Sequence, residues 1–292
     1  MSLNPQKIAL ITDSCADLNA DLIGDDPIFI IPLVLAFQGV EYEDGVTITA
    51  QDVYEKTRVE FPRTSLPRSE TLFRTFQTIR DQGYERVIAV MLSSGLSGTY
   101  NMVRLAAQDV PGLEIFVIDS LTGSLGCGAV LLQLMEYIRR GFEWERLKRI
   151  ALQLVKNVTV YFSVDTLEFL KKGGRIGKIT ALAGTVLNLK PIIAFEPDGQ
   201  LGSVARCRGS HQAQERLMTL AAKARGDAKE YILLTGHGGA PELYPAFRDE
   251  VLRRFPDCSR HISAVIDGTL AAYTGPGLLG TGIVILDGIE DC

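Results

Sequence analysis

The chain has 292 residues, 46% of them hydrophobic and 22% charged, with a formal net charge of -5. Such a chain buries a sizeable core, which excludes a small disulfide-stapled module and a mainly disordered protein. The acidic balance, with no clustered basic face, argues against a nucleic-acid partner, because duplex binding relies on Lys and Arg neutralising phosphates.

The five cysteines, Cys15, Cys127, Cys207, Cys258 and Cys292, are scattered and lack CxxC spacing. Neither a disulfide framework nor a zinc site is suggested, and a reducing cytoplasm is the expected compartment. The first residues lack a signal-peptide pattern, and no uninterrupted apolar run reaches the ~18 residues of a membrane span, so a soluble protein is expected.

In chain order, β-rich apolar runs at 8–11, 28–35, 87–92 and 115–118 alternate with helical periodicity. That alternation predicts an α/β layer with a largely parallel sheet. Thr49 with Asp52 and then Ser69 begin helices, a third is expected from Ser97 to about residue 107, and longer ones span 123–140 and 143–156. After Asn157 the rhythm changes. A strand at 158–164 precedes two short helices around Gly173-Gly174. A hairpin of 190–196 and 200–207 then turns at Pro197-Asp198-Gly199. Helix 210–224, strand 230–235, helix 241–254, strand 261–265 and strand 282–286 complete the chain. The expected organisation is an α/β domain over 1–157 and a mixed α+β domain over 158–292, closely packed, with a ligand at their junction.

Polar segments at strand ends are the candidate site: Thr12-Asp13-Ser14, Thr64-Ser65-Leu66-Pro67, the run SSGLSGT at 93–99, and Asp119-Ser120. Ligands of open α/β sheets bind beyond the carboxyl ends of strands. In SSGLSGT, free amides at a helix start, with Ser97 as N-cap and Ser93 and Ser94 beside it, suit an anion. Each hydroxyl equally suits a plain cap or turn, and both readings stand at this point. Gly173-Gly174-Arg175 reads either as a helix C-cap followed by a solvated arginine or as a cationic corner of a site. Tyr273-Thr274-Gly275-Pro276-Gly277 is a tight turn that is either a crossover or a close approach to ligand.

Taken in order, Thr12-Asp13-Ser14, Thr64-Ser65 with Pro67, SSGLSGT, Asp119-Ser120, FSVDTLEFLKKGGRI at 162–176, Leu189-Lys190-Pro191-Ile192 and Thr274-Gly275-Pro276-Gly277 resemble the DegV family, from about residue 8 to 286. The resemblance implies a two-domain α/β protein that holds one long-chain fatty acid, with the carboxylate near the junction and the acyl chain in the second domain. It further implies the fatty-acid-binding subunit of a bacterial fatty acid kinase. Such a subunit takes acyl chains from the membrane by transient contact and presents the carboxylate to a separate ATP-binding subunit for acyl-phosphate formation, as a step toward phospholipid synthesis. It would need no cofactor or metal and would not itself be an enzyme.

By resemblance Thr64, Ser65, Ser93, Ser94, Tyr273 and Gly277 would surround the ligand, while Arg175 and Arg206 would lie at the head-group rim or face the partner. Aliphatic residues over 179–195 are expected to help line the tail pocket. Two departures stand out. Tyr273 replaces the histidine usual before TGPG, so that a phenol donates one hydrogen bond without a cationic form. Arg68 replaces a serine in the common TSQPS pattern, adding a charge expected near the pocket rim.

The alternatives are a serine-dependent hydrolase, a binder of a different small anion, or a protein that phosphorylates a small ligand itself. Thr99 stands where a GxSxG elbow needs glycine, His211, His237 and His261 have no evident triad partner, and no GxxxxGK[ST] loop is present.

Overall fold

The computed structural model describes residues 4–182 and 189–291. Its first half runs β1 (Ile8–Asp13), α1 (Ala20–Ile23), β2 (Ile28–Ile31), β3 (Val34–Phe37), β4 (Val40–Glu43), α2 (Ala50–Lys56), β5 (Arg63–Ser65), α3 (Ser69–Asp81), β6 (Arg86–Met91), α4 (Thr99–Ala106), β7 (Glu114–Asp119), α5 (Leu125–Arg139) and α6 (Trp144–Lys156). The second runs β8 (Val158–Ser163), α7 (Glu168–Lys172), β9 (Leu189–Phe195), β10 (Leu201–Arg208), α8 (Gly209–Arg225), β11 (Tyr231–Gly238), α9 (Tyr244–Arg254), β12 (Arg260–Val265), α10 (Gly268–Thr274) and β13 (Leu278–Ile285).

The fold is mixed α/β. An all-parallel four-stranded sheet, β2-β1-β6-β7, is built by the alternating strand and helix periods of the first half. The six-stranded sheet β10-β9-β8-β13-β11-β12 is antiparallel except for the β11–β12 pair. Local sequence chemistry sets several of these elements. Thr49 and Asp52 close a reciprocal capping box on α2, each side chain accepting from the other's backbone N–H. Pro197-Asp198-Gly199 turns the β9–β10 hairpin, with Gly199 at φ 74, a conformation that glycine adopts without a Cβ penalty.

Two expectations need correction. The run 28–35 is not one strand: at Pro32 the chain leaves the parallel sheet, and Val34–Phe37 instead joins a small antiparallel sheet, β4-β3-β5. Pro32 has no N–H to continue the pairing of this edge strand with β1, and the pairing ends at Ile31. The helix after SSGLSGT begins at Thr99, with Gly98 rather than Ser97 as N-cap.

The change of sheet falls between α6 and β8, yet the core is continuous across it. Helix α5 is buried over almost its whole length, and its Leu131 and Leu134 share one apolar cluster with Leu10 and Val90 of the first sheet and Ile232 and Val284 of the second. Residues of the small sheet and α2, such as Leu35 and Val53, pack on Ala271 and Ala272 of α10. The first half thus lends one wall to the second, and the cavity described next lies at that junction. No helix among the described residues is long and apolar enough to cross a membrane.

Candidate functional site

A cavity of about 240 Å³ opens where the two halves meet. Apolar side chains make most of its wall: Leu33, Leu92, Leu96 and Leu125 from the first half, and Val160, Phe162, Leu170, Phe195, Leu234 and Leu278 from the second. At one end Thr64, Tyr273 and Arg175 come together, with Ser65, Ser97 and Thr274 also on the border; Ser124, Thr235, Thr269 and Thr281 border the cavity too, each with its hydroxyl bonded to a protein partner.

Strand β5 sets Thr64 opposite Leu35 of β3, so that the small sheet carries the hydroxyl to the cavity edge. Asp267 caps α10 by accepting from Leu270 N–H at 2.7 Å. The helix then brings Thr269, Leu270, Tyr273 and Thr274 onto one side, the neighbour spacing of a helix face. It stops at Gly275, with φ 68. Thr64 Oγ1 and Tyr273 Oη are hydrogen-bonded to each other. Behind the phenol, a Cβ on Gly173 would stand 2.2 Å from the Tyr273 ring, so the small residue at the end of α7 lets the ring seat there.

Arg175 completes this end. Its guanidinium lies 4.8 Å from the centroid of the Tyr273 ring and donates to the carbonyls of Gly173 at 2.7 Å and Leu96 at 3.2 Å. It makes no ion pair among the described residues and is the one charged side chain among those bordering the cavity. The reading of Arg175 as a solvated surface charge is therefore corrected: the double glycine turns the chain back so that the arginine stacks on Tyr273. A half-buried guanidinium held by carbonyls and a ring, with two hydroxyls beside it, forms a site of positive charge and hydrogen-bond donors matched to a carboxylate or similar anion.

Other candidates lie elsewhere. Ser93 is fully buried and donates to the Gly199 carbonyl at 2.7 Å while accepting from Gly95 N–H at 3.1 Å, so its hydroxyl links the two halves. Ser94 is exposed, its backbone N–H donating to Asp119 at 3.0 Å, and neither serine borders the cavity. Of the SSGLSGT run it is Leu96, Ser97 and Gly98 that border it. Gly277 sits in the crossover before β13, where its N–H donates to the Gly238 carbonyl at 2.8 Å and a Cβ would stand 2.4 Å from the Asp165 carboxyl. Arg206, exposed on β10, borders a separate shallow cleft with Lys178 and Glu196. The charge of Arg68 is paired with Glu41 at 2.7 Å.

Phe195 reaches the cavity, and Ile179 and Ile193 pack in the same apolar cluster, whereas residues 183–188 of the expected tail-pocket stretch lie outside the described residues, as does Cys292. Asp13 and Ser14 serve the fold: Asp13 accepts from Cys15 and Leu92 N–H, and Ser14 donates to Asp44. Sequence reasoning missed α10 and with it Thr269 and Leu270. The available signal was Asp267 as an N-cap, with Leu270, Tyr273 and Thr274 following at helical spacing.

The DegV family model matches residues 7–286. A DegV domain-containing protein of Clostridium acetobutylicum is 34% identical over 275 residues, covering 94% of this chain and 98% of the relative. The chain belongs to the DegV family. Among solved structures, a fatty-acid-binding DegV family protein from Thermus thermophilus superimposes with a TM-score of 0.89 at 33% identity, covering 96% of this chain and 99% of that one. A stearic-acid-binding protein from Eubacterium ventriosum gives 0.87 at 28% identity, with 98% and 100% covered. DegV of Bacillus subtilis, described as a fatty-acid-binding protein, gives 0.86 at 26%, with 97% and 100% covered. The parallel sheet in the first half and the mixed sheet in the second are thus the family fold.

Proposed function

We propose that this chain is a fatty-acid carrier. It holds one long-chain fatty acid with the acyl chain in the apolar cavity and the carboxylate at Thr64, Tyr273 and Arg175, with Ser65 and Ser97 at the rim. The observation that carries the reading is a cavity with largely aliphatic and aromatic walls whose one cation, Arg175, stacks on Tyr273 beside the Thr64 hydroxyl, while the hydroxyls of Ser124, Thr235, Thr269 and Thr281 on the same lining are bonded to protein partners. Burial of about fifteen methylenes at ~0.8 kcal/mol each is worth on the order of 10 kcal/mol before association costs, so a small polar clamp suffices. Stearic acid as ligand of a relative of the same fold supports the same chemistry.

The further step is presentation of the carboxylate to a separate ATP-dependent kinase subunit, which would form the acyl phosphate, with transient membrane contact for loading in a cytoplasmic protein. This chain then acts as a binding subunit rather than an enzyme and needs no cofactor beyond its ligand. Among the described residues no serine hydroxyl is hydrogen-bonded to a histidine, His261 being bound to Thr235 and His237 to Ala240 N–H, so the arrangement favours carriage over serine hydrolysis.

Native mass spectrometry of the purified protein, followed by lipid extraction, tests the first step. The expected result is one fatty acid per chain, with retention reduced roughly tenfold or more in Thr64→Ala and Arg175→Ala as hydrogen bonds to a charged group are lost. A protein that stays lipid-free and takes up no added fatty acid overturns the reading and turns attention to another small anion.

A further inference from the structure

Two neighbouring interior strands of the second sheet carry an unusual run of glycines on one face. Residues 234, 236 and 238 of β11 alternate onto the same face as 278, 280 and 282 of β13, and register places Gly236 opposite Gly280 and Gly238 opposite Leu278. Glycine in a central strand forfeits side-chain packing and costs backbone entropy, so each instance calls for a reason.

Protein packing supplies the reason at two of these positions. A Cβ on Gly238 would stand 2.6 Å from Tyr54 Oη, and one on Gly282 would stand 2.7 Å from the Thr159 carbonyl. It does not at Gly280, where a Cβ would meet nothing nearer than Phe162 Cβ and the Tyr161 carbonyl at 3.4 Å, ordinary contact distances. At Gly236 the Ala264 carbonyl at 3.1 Å is a tight contact that supplies part of the reason, and the next atom, Leu125 Cδ1, is at 3.6 Å. Both glycines are buried and both border the cavity. The space their side chains would take is cavity space.

Their place along the cavity is also defined. Going from the polar end, the wall passes from Tyr273, Leu170, Phe162 and Leu278, which form one apolar cluster, to Leu125, Val160 and Leu234, which belong to the α5 core. Gly280 lies between these groups on β13, opposite Phe162, and Val160 opposes Gly282 beyond it. We infer that the facing pair Gly236–Gly280 is the length gauge of this carrier: it keeps the far half of the cavity open to the terminal carbons of a long acyl chain, and the first side chain placed there shortens the longest chain accepted.

This inference rests on the fatty-acid reading, and the experiment separates the two. Delipidated wild type, Gly280→Ala, Gly280→Val and Gly236→Ala are offered an equimolar mixture of myristic, palmitic and stearic acids, and bound acids are quantified after extraction. In the other direction, Leu125→Ala enlarges the far end. The expected result is a stepwise fall in the stearate-to-myristate ratio, by roughly tenfold for Gly280→Val as methylenes are excluded, and a rise in Leu125→Ala. Because ordinary contact distances surround the Gly280 Cβ position, Gly280→Ala is expected to fold, and with Leu125→Ala it decides the matter even if Gly280→Val does not. Wild-type ratios in Gly280→Ala and Leu125→Ala overturn the gauge while leaving the carrier reading intact. A wild type that binds none of the acids overturns both.

Discussion

Two of the contacts that tie the halves of this protein together around the cavity are built from opposite chemistry. At one, the loop after β6 meets the β9–β10 hairpin backbone to backbone: Ser93 donates to the Gly199 carbonyl, and a Cβ on Gly95 would stand 2.4 Å from the Gly199 carbonyl carbon. At the other, carboxylates of the first half hold the start of α10. Asp17 accepts from Asp267 N–H at 2.6 Å and from the Ser124 hydroxyl, and Asp44 accepts from Gly268 N–H at 3.1 Å, Thr269 N–H at 3.0 Å and the Thr269 hydroxyl at 2.6 Å. Among the described residues none of Asp13, Asp17, Asp44 and Asp267 has an ion-pair partner. The glycine contact is neutral and positions Leu96 and Ser97 of the cavity, whereas the aspartate contact is titratable and positions Thr269, Leu270 and Tyr273. The direct link at the first contact therefore carries no titratable group, whereas the second is made by carboxylates.

The largest effect should come from breaking the neutral contact. Gly95→Ala drives a methyl into the Gly199 and Gln200 backbone, which cannot rotate away as a side chain would. A loss on the order of 4 kcal/mol is expected in denaturant unfolding. A loss below about 1 kcal/mol would mean that the loops separate freely and that the contact is incidental.

The aspartate contact should respond in the opposite sense. Burial, opposed by their hydrogen bonds, pushes Asp13 up to about 6 and Asp17 up to about 7, and burial also raises Asp44 and, with the charges of Asp44 and Asp17 adding to it, Asp267. These groups bind protons more tightly in the folded chain than in the unfolded one. For Asp13 and Asp17 stability therefore falls as pH rises from about 4 through about 7, and Asp44 and Asp267 act in the same direction. Asp17→Asn removes one charge while keeping an acceptor for Asp267 N–H, and asparagine tolerates the φ of 52 found at this position. The variant should gain on the order of 2 kcal/mol at about pH 8 and little at about pH 4. A pH-independent change would break the contrast between the two contacts.

Much of this architecture was legible because the controlling interactions are local. Alternating strand and helix periods gave the parallel sheet, Thr49 and Asp52 marked α2, and Pro197-Asp198-Gly199 marked the hairpin. The small sheet was not legible. Its strands are three or four residues long, Val40 is 53% exposed, and the Gln38-Gly39 turn, with both φ values positive, lacks the usual Asn-Gly signature. At the site, the sequence marked hydroxyl-rich loops but not which hydroxyl faces the cavity. Thr64 and Tyr273 are 209 residues apart and Ser93 and Gly199 are 106 apart, so long-range packing decides which group meets ligand and which closes the fold.

The smallest predicted effect separates those two uses of a serine within SSGLSGT. Ser93→Ala leaves the buried Gly199 carbonyl without its 2.7 Å donor, for which a loss of about 1–2 kcal/mol is expected. Ser94→Ala removes an exposed hydroxyl whose residue is held by its backbone N–H on Asp119, and stability should change by less than about 0.5 kcal/mol. Unfolding curves measured beside fatty-acid retention make the distinction. If Ser94→Ala loses ligand at unchanged stability, its hydroxyl turns to the carboxylate once ligand is bound. If neither variant loses ligand while Thr64→Ala does, the anion is held at the Thr64–Tyr273–Arg175 end, and the serines of the run serve to set the wall in place.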